Sequence, residues 1–204
     1  MAVEGKLVAQ DANDGFPGVE AAPEPEGGYP FEIPEGWRWV TLKSVCNDVI
    51  VPQRDKPKCF DGDIPWCKIE DIEGDYLSGS RTGKTVTRKT VDAMNLKVYP
   101  TGTVLCSNSA TIGVPAITTT ELCTNQRFIG FVCGPELDNQ YLLLLFKAFK
   151  GYLMTAGTGS TQSYIARKTF ENMLIPLPSL LEQGRIVERS KTLLALMPNP
   201  KRAA

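Results

Sequence analysis

The chain contains six cysteines (Cys46, Cys59, Cys67, Cys106, Cys123 and Cys133) and no histidine, which restricts its possible chemistry. No CxxC pair occurs, and without histidine a thiolate lacks its usual general base and its usual fellow metal ligand. Gly83-Lys84-Thr85 invites a phosphate-loop reading, but that loop needs a glycine five positions before Gly83, where Ser78 stands. The carboxylates of Glu70 and Asp71, and of Glu73 and Asp75, fall in a strand and its exit turn without an organised basic partner, and read as solvent-facing. No serine sits in a nucleophile elbow, and neither a glycine-rich cofactor loop nor a catalytic aromatic Pro-Pro tetrapeptide is present.

What remains is a set of hydrogen-bond donors. Between Arg81 and Lys97, five bases (Arg81, Lys84, Arg88, Lys89 and Lys97) accompany one acid, Asp92. Ser107-Asn108-Ser109 and Thr124-Asn125-Gln126 interrupt apolar runs. Gly159-Ser160-Thr161-Gln162 is followed closely by Arg167 and Lys168. Hydroxyls, amides and cations of this kind suit a sugar–phosphate backbone. Each also has a plainer role: solvated bases, amides that satisfy neighbouring backbone, or a Ser160 or Thr161 that caps a turn.

The elements that would position these groups can be read from pattern. At 204 residues, 42% hydrophobic and 22% charged, the chain suits one domain with appendages and a real core. No apolar run approaches the length needed to span a bilayer. Residues 1–36 hold eight acids and one base, so a net charge of −1 leaves −1 − (−7) = +6 on the remainder, which favours a polyanionic partner. Residues 1–28 read as an acidic flexible tail or linker. Ile64 to Ile72 reads as a half-buried strand, Val104 to Cys106 as a buried one, and Thr87 to Leu96 as a short helix. Asn139 to Thr155 reads as a single helix with Leu142, Leu145, Phe146, Phe149 and Leu153 on its apolar face. Leu174 to Leu177 closes the globule as a strand, and a helix beginning near Ser179 is stopped by Pro198. Leu181, Ile186, Leu193 and Leu194 fall near one face of it. Cysteines inside apolar strand-like text read as reduced buried thiols, which points to the cytoplasm.

Several motifs recur in a fixed order. They are Ile33-Pro34-x-Gly36-Trp37-x-Trp39, Ser107-Asn108-Ser109-Ala110-Thr111-Ile112-Gly113, Cys123-Thr124-Asn125-Gln126 and Gly159-Ser160-Thr161-Gln162, then Glu171-Asn172-x-Leu174-Ile175-Pro176-Leu177-Pro178 and Leu181-Glu182-Gln183-x-Arg185-Ile186-Val187. With them, the span from Phe31 to Leu194 resembles the target-recognition domain of a type I restriction–modification specificity (S) subunit. The resemblance implies an α+β fold with a strongly twisted mixed sheet, a few packed helices and long polar loops. Residues 29–178 would form the DNA target-recognition domain. Residues 179–197 would form a C-terminal helix, the start of a coiled-coil spacer or a dimer contact through Leu181, Ile186, Leu193 and Leu194, with 198–204 a tail. The start, Ala2-Val3-Glu4-Gly5-Lys6-Leu7-Val8, is similar to the segment that follows the family's long spacer helix, as in a fragment or half-length subunit; ordinary N-terminal sequence is the alternative.

The implied function is sequence-specific, non-catalytic recognition of one half of a bipartite site on double-stranded DNA in a host-defence system. Methyltransferase (M) subunits would supply S-adenosylmethionine chemistry, and a restriction (R) subunit would use ATP and magnesium. This chain would bind none of these small molecules and no metal. Base readers would lie in Val51 to Asp61 and Asp75 to Lys89, with Arg54, Arg81 and Arg88 as leading candidates and Gln53 and Lys84 behind them. Lys89, Ser107, Asn108, Ser160, Thr161, Gln162, Arg167 and Lys168 complete the expected DNA contacts. Other readings are a recognition domain of a fused restriction–methyltransferase enzyme, a protein decoy that occupies the methyltransferase subunits, or an enzyme of unfamiliar type.

Overall fold

The computed structural model describes residues 2–52, 54–157 and 164–196. Apolar strands alternate between two cores. In β6 (Val104–Ser107) all four residues are buried: Val104 and Cys106 face a large cluster, while Leu105 faces a smaller one. This period-two split places apolar side chains on both faces of a five-stranded sheet. Its other members are β2 (Cys46–Ile50), β4 (Tyr76–Leu77), β7 (Pro115–Thr118) and β9 (Phe128–Cys133), in the order β2-β9-β6-β7-β4, with β4 parallel to β7 and the remaining pairs antiparallel. On one face pack α2 (Asn139–Ala148), α4 (Arg167–Glu171) and α5 (Leu180–Leu196), around a ring trio of Phe131, Phe146 and Phe170 with centroids 5.2–6.0 Å apart.

The second face carries Leu105, Ala116 and Phe128 against Cys67, Leu77, Tyr99 and Leu122. Beyond it lies a three-stranded sheet in which β3 (Ile64–Cys67) sits between β5 (Thr85–Val86), antiparallel, and β8 (Cys123–Thr124), parallel. The outer face of this small sheet, with Ile64, Trp66 and Cys123, is covered by Val91 of α1 (Arg88–Met94) and by Leu96. Separately, β1 (Arg38–Thr41) and β10 (Leu174–Leu177) form an antiparallel pair. Pro176 is tolerated in that two-stranded edge, and its carbonyl accepts a 2.9 Å bond from Tyr141.

The mixed sheets and packed helices agree with the expected α+β class. Four local readings change. The helix expected over Asn139 to Thr155 breaks at Phe149 (φ −88°, ψ 10°) into α2 and α3 (Lys150–Ala156). The strand expected over Ile64 to Ile72 ends at Cys67. The Asp71 carboxylate accepts from Lys68 N at 2.7 Å and Arg81 N at 2.8 Å, closing a 3₁₀ turn over Ile69–Asp71.

Of residues 1–28, expected to be a flexible tail, the described part (2–28) is laid against the main core through Val3, Leu7, Val8 and Val19. Gln10 Nε2 donates to Glu182 Oε1 at 2.6 Å, Asp14 pairs with Arg185, and Ala22 N bonds Trp39 O at 2.7 Å. Part of its polar content is thus matched by polar groups at the start of α5, the buried Glu182 and the half-exposed Arg185. On α5 itself, Ile186 is fully buried and closed to any partner, whereas Leu181 is 65% exposed. At 100° per residue those two point about 140° apart, so they do not share a face. Leu193 and Leu194 are exposed and continue the direction of the buried face past the globule.

Candidate nucleic-acid interface

Parallel pairing brings the ends of β3 and β8 to the same edge. Trp66 lies opposite Cys123 and Cys67 opposite Thr124, so Lys68 leaves one strand beside Asn125 leaving the other. Asn125 N bonds Cys67 O at 3.2 Å, and Asn125 Oδ1 accepts from Arg127 N at 3.2 Å, an Asx-type turn that sets the tripeptide's shape. Behind it, Asn108 N bonds Arg127 O at 2.9 Å and Ile165 N bonds Asn108 O at 2.8 Å. The rim of this edge is therefore anchored by backbone from three separate parts of the chain.

Arg54 and Lys56 come over the same edge from the loop that follows β2. Together with Lys68, Arg127, Glu70 and the amides of Asn125 and Gln126, they surround an open depression of about 350 Å³ floored by Trp66. Four cations thus meet one carboxylate. Phe60 holds the loop down: its ring is 5.3 Å from Trp66, and Lys84 Nζ and Lys56 Nζ lie 5.2 and 5.9 Å from its centre. Arginine, lysine and amide donors at a wet rim are equipped to meet phosphate oxygens and base edges.

The expected contact residues separate. Arg54 lines the depression and Lys84 stands next to it on Phe60. Arg88 and Lys89 are exposed on α1, Arg88 facing Glu121 at 3.4 Å. Arg81 is tied locally, donating to Ile72 O at 3.1 Å and lying 3.6 Å from Glu73. Arg167 pairs with Glu171 at 2.8 Å on α4, whose Phe170 packs into the main core; neither Arg167 nor Lys168 lines the depression. Gln53, Ser160, Thr161 and Gln162 lie outside the described residues.

Ser107 and Asn108 were expected to face DNA and do not. Ser107 is buried, its hydroxyl donating to Thr111 O and accepting from Val114 N at 2.8 Å, which folds the loop back on itself. Asn108 is 1% exposed, and its Oδ1 has no hydrogen-bond partner among the described residues. Ala110, two residues on, has φ +61°, a left-handed value that costs a non-glycine residue about 1–2 kcal/mol. Sequence reasoning missed Lys68, Glu70 and Arg127 as site residues. The available signal was the strand pairing, which no local pattern announces.

The thiols offer no chemistry at this site. Burial pushes Cys67 up to about 12, with Asp71 adding to the shift, and Cys123 up to about 11, so both stay protonated at neutral pH. Cys59, in the polar loop after β2 and outside the apolar strand-like stretches, is exposed. Among the described residues no cluster of histidine, cysteine or carboxylate could hold a metal ion, and no helix is long and apolar enough to cross a membrane.

A family model described as the type I restriction modification DNA specificity domain matches residues 34–198. The chain is 32% identical to the type I restriction enzyme MjaIX specificity subunit of Methanocaldococcus jannaschii, over 76% of this chain and 37% of that protein. It is 29% identical to the EcoAI specificity subunit of Escherichia coli, over 96% of this chain and 38% of that protein. Among solved structures, the HsdS subunit from Thermoanaerobacter tengcongensis is similar with a TM-score of 0.63 at 26% identity, over 85% of this chain and 41% of that one. A chain from a study of type I R-M assembly gives 0.65 at 25% identity, over 84% and 41%. The chain therefore spans about two fifths of the length of these relatives.

Proposed function

Because the chain belongs to the type I restriction–modification DNA specificity domain family, we propose that it recognises one half of a bipartite site on double-stranded DNA as a non-catalytic specificity module. The observation that carries this reading is the depression at the β3/β8 edge, where Arg54, Lys56, Lys68 and Arg127 converge on a backbone held from three sides. Cations arranged this way release counterions from a duplex and bind it in a strongly salt-dependent manner. Lys84, Arg88 and Lys89 extend the cationic surface toward α1.

The chemistry done on the bound DNA would belong to partners: methyltransferase subunits carrying S-adenosylmethionine and a restriction subunit using ATP and magnesium. The exposed stretch of α5 with Leu193 and Leu194 suits contact with such a partner or with the second half of a specificity subunit.

The test is a gel shift of the chain on random-sequence duplex at low salt, repeated across a salt series. Binding that weakens steeply with salt is expected. The triple variant Arg54→Glu, Lys68→Glu, Arg127→Glu should abolish it. Undiminished binding by that variant would remove the assignment of the site. Failure of the unmodified chain to bind at any salt, alone or with methyltransferase subunits present, would remove the function.

A further inference from the structure

Glu70 is out of place on a surface that only grips phosphate. It is exposed on the 3₁₀ turn Ile69–Asp71, amid Arg54, Lys56, Lys68 and Arg127, and among the described residues it forms no ion pair and accepts no hydrogen bond. A carboxylate there repels every phosphate its neighbours attract. The fold does not need it, since the turn is closed by Asp71, which accepts from Lys68 N at 2.7 Å and from Arg81 N at 2.8 Å. Those two bonds fix the backbone on both sides of Glu70, so its side chain starts from a rigid base. An ionised carboxylate is acceptor-only. In the major groove the group that complements it is an exocyclic amino donor, and cytosine N4 presents that donor without an adjoining acceptor for an amide to pair with.

We propose that Glu70 is a specificity-determining residue that accepts from the N4 amino group of a cytosine at one fixed position of the recognised half-site, while Lys68 and Arg127 beside it hold phosphates. The inference rests on the DNA-binding reading above. Glu70 acts by rejection as well as by acceptance: opposite guanine O6 or thymine O4 the carboxylate meets another acceptor. Its negative charge makes the surface a weaker general DNA binder and a more selective one.

The experiment selects bound duplexes from a random pool with the whole chain, unmodified and as Glu70→Ala and Glu70→Gln, each checked for an unchanged circular dichroism spectrum. The unmodified chain should enrich a motif containing an invariant cytosine. Glu70→Ala should lose that preference by about 5- to 150-fold, the range that one good base contact supplies, and should bind random duplex more tightly. Glu70→Gln, which gains a donor, should move the preference at that position toward adenine. An Ala variant that binds more tightly yet enriches the same motif would make Glu70 a repelling charge only and overturn the proposal. Salt-sensitive binding by the unmodified chain with no enriched motif would overturn it too, while leaving the DNA-binding reading in place.

Discussion

Tyr99 occupies the space that a side chain at position 130 would fill: a Cβ on Gly130 would sit 2.3 Å from its ring. The ring lies across β9 and its hydroxyl accepts from Thr124 Oγ1 at 3.3 Å, tying the five-stranded sheet to β8. Gly130→Ala should therefore cost about 2 kcal/mol through overpacking, lowering the melting temperature by roughly 4–8 °C in a thermal scan. Residue types at the site were readable in the sequence, since Arg54 and Lys84 stand at or beside the depression. Burial was not readable. Ser107 and Asn108 have the same chemistry as surface DNA contacts, and only the return of the chain through Thr111 and Val114 turns them inward.

Elements were legible where local pattern is sufficient and illegible where a distant partner decides. The buried strand at Val104, the short helix near Thr87 and the closing strand at Leu174 lie close to where hydrophobic period and proline placed them. The break at Phe149 and the early end of β3 depend on tertiary contacts and on the Asp71 side chain. The docking of α5 is also a tertiary matter. Gln183 is fully buried, accepts from Asp138 N at 2.8 Å, and donates to Glu136 O and Pro178 O at 2.9 and 3.0 Å. Gln183→Ala would orphan three backbone groups between α2 and α5. A loss of about 3 kcal/mol is expected, seen as a lower urea midpoint with little change in slope.

At the scale of the whole molecule, charge is segregated. The acidic N-terminal segment packs on the main core beside α5, and the cationic depression belongs to the small sheet beyond the second core. The segment is held in part by Asp14, whose hydrogen bond from Arg185 keeps its carboxyl below the ordinary value of 3.8. A lowered folded value stabilises at pH above 3.8 and loses that effect as pH falls through the folded value. Burial shifts Glu182 upward, the opposite way, and Arg185 offsets part of that shift, so Arg185→Ala removes a cation that favours the ionised form of both carboxylates. The stability gap between the unmodified chain and that variant should be largest near neutrality and should close below about pH 4, followed by tryptophan fluorescence as the segment around Trp37 loosens.

The β3/β8 pairing also affects how the molecule comes into being. Trp66 must wait for Cys123, 57 positions further along, before the two strands can align side by side. Long-range parallel pairing closes a large loop before it is rewarded, so it forms slowly. A refolding chain should regain its helical signal first and its affinity for duplex afterwards. On a ribosome, the gripping edge would exist only after the second strand had been translated and docked.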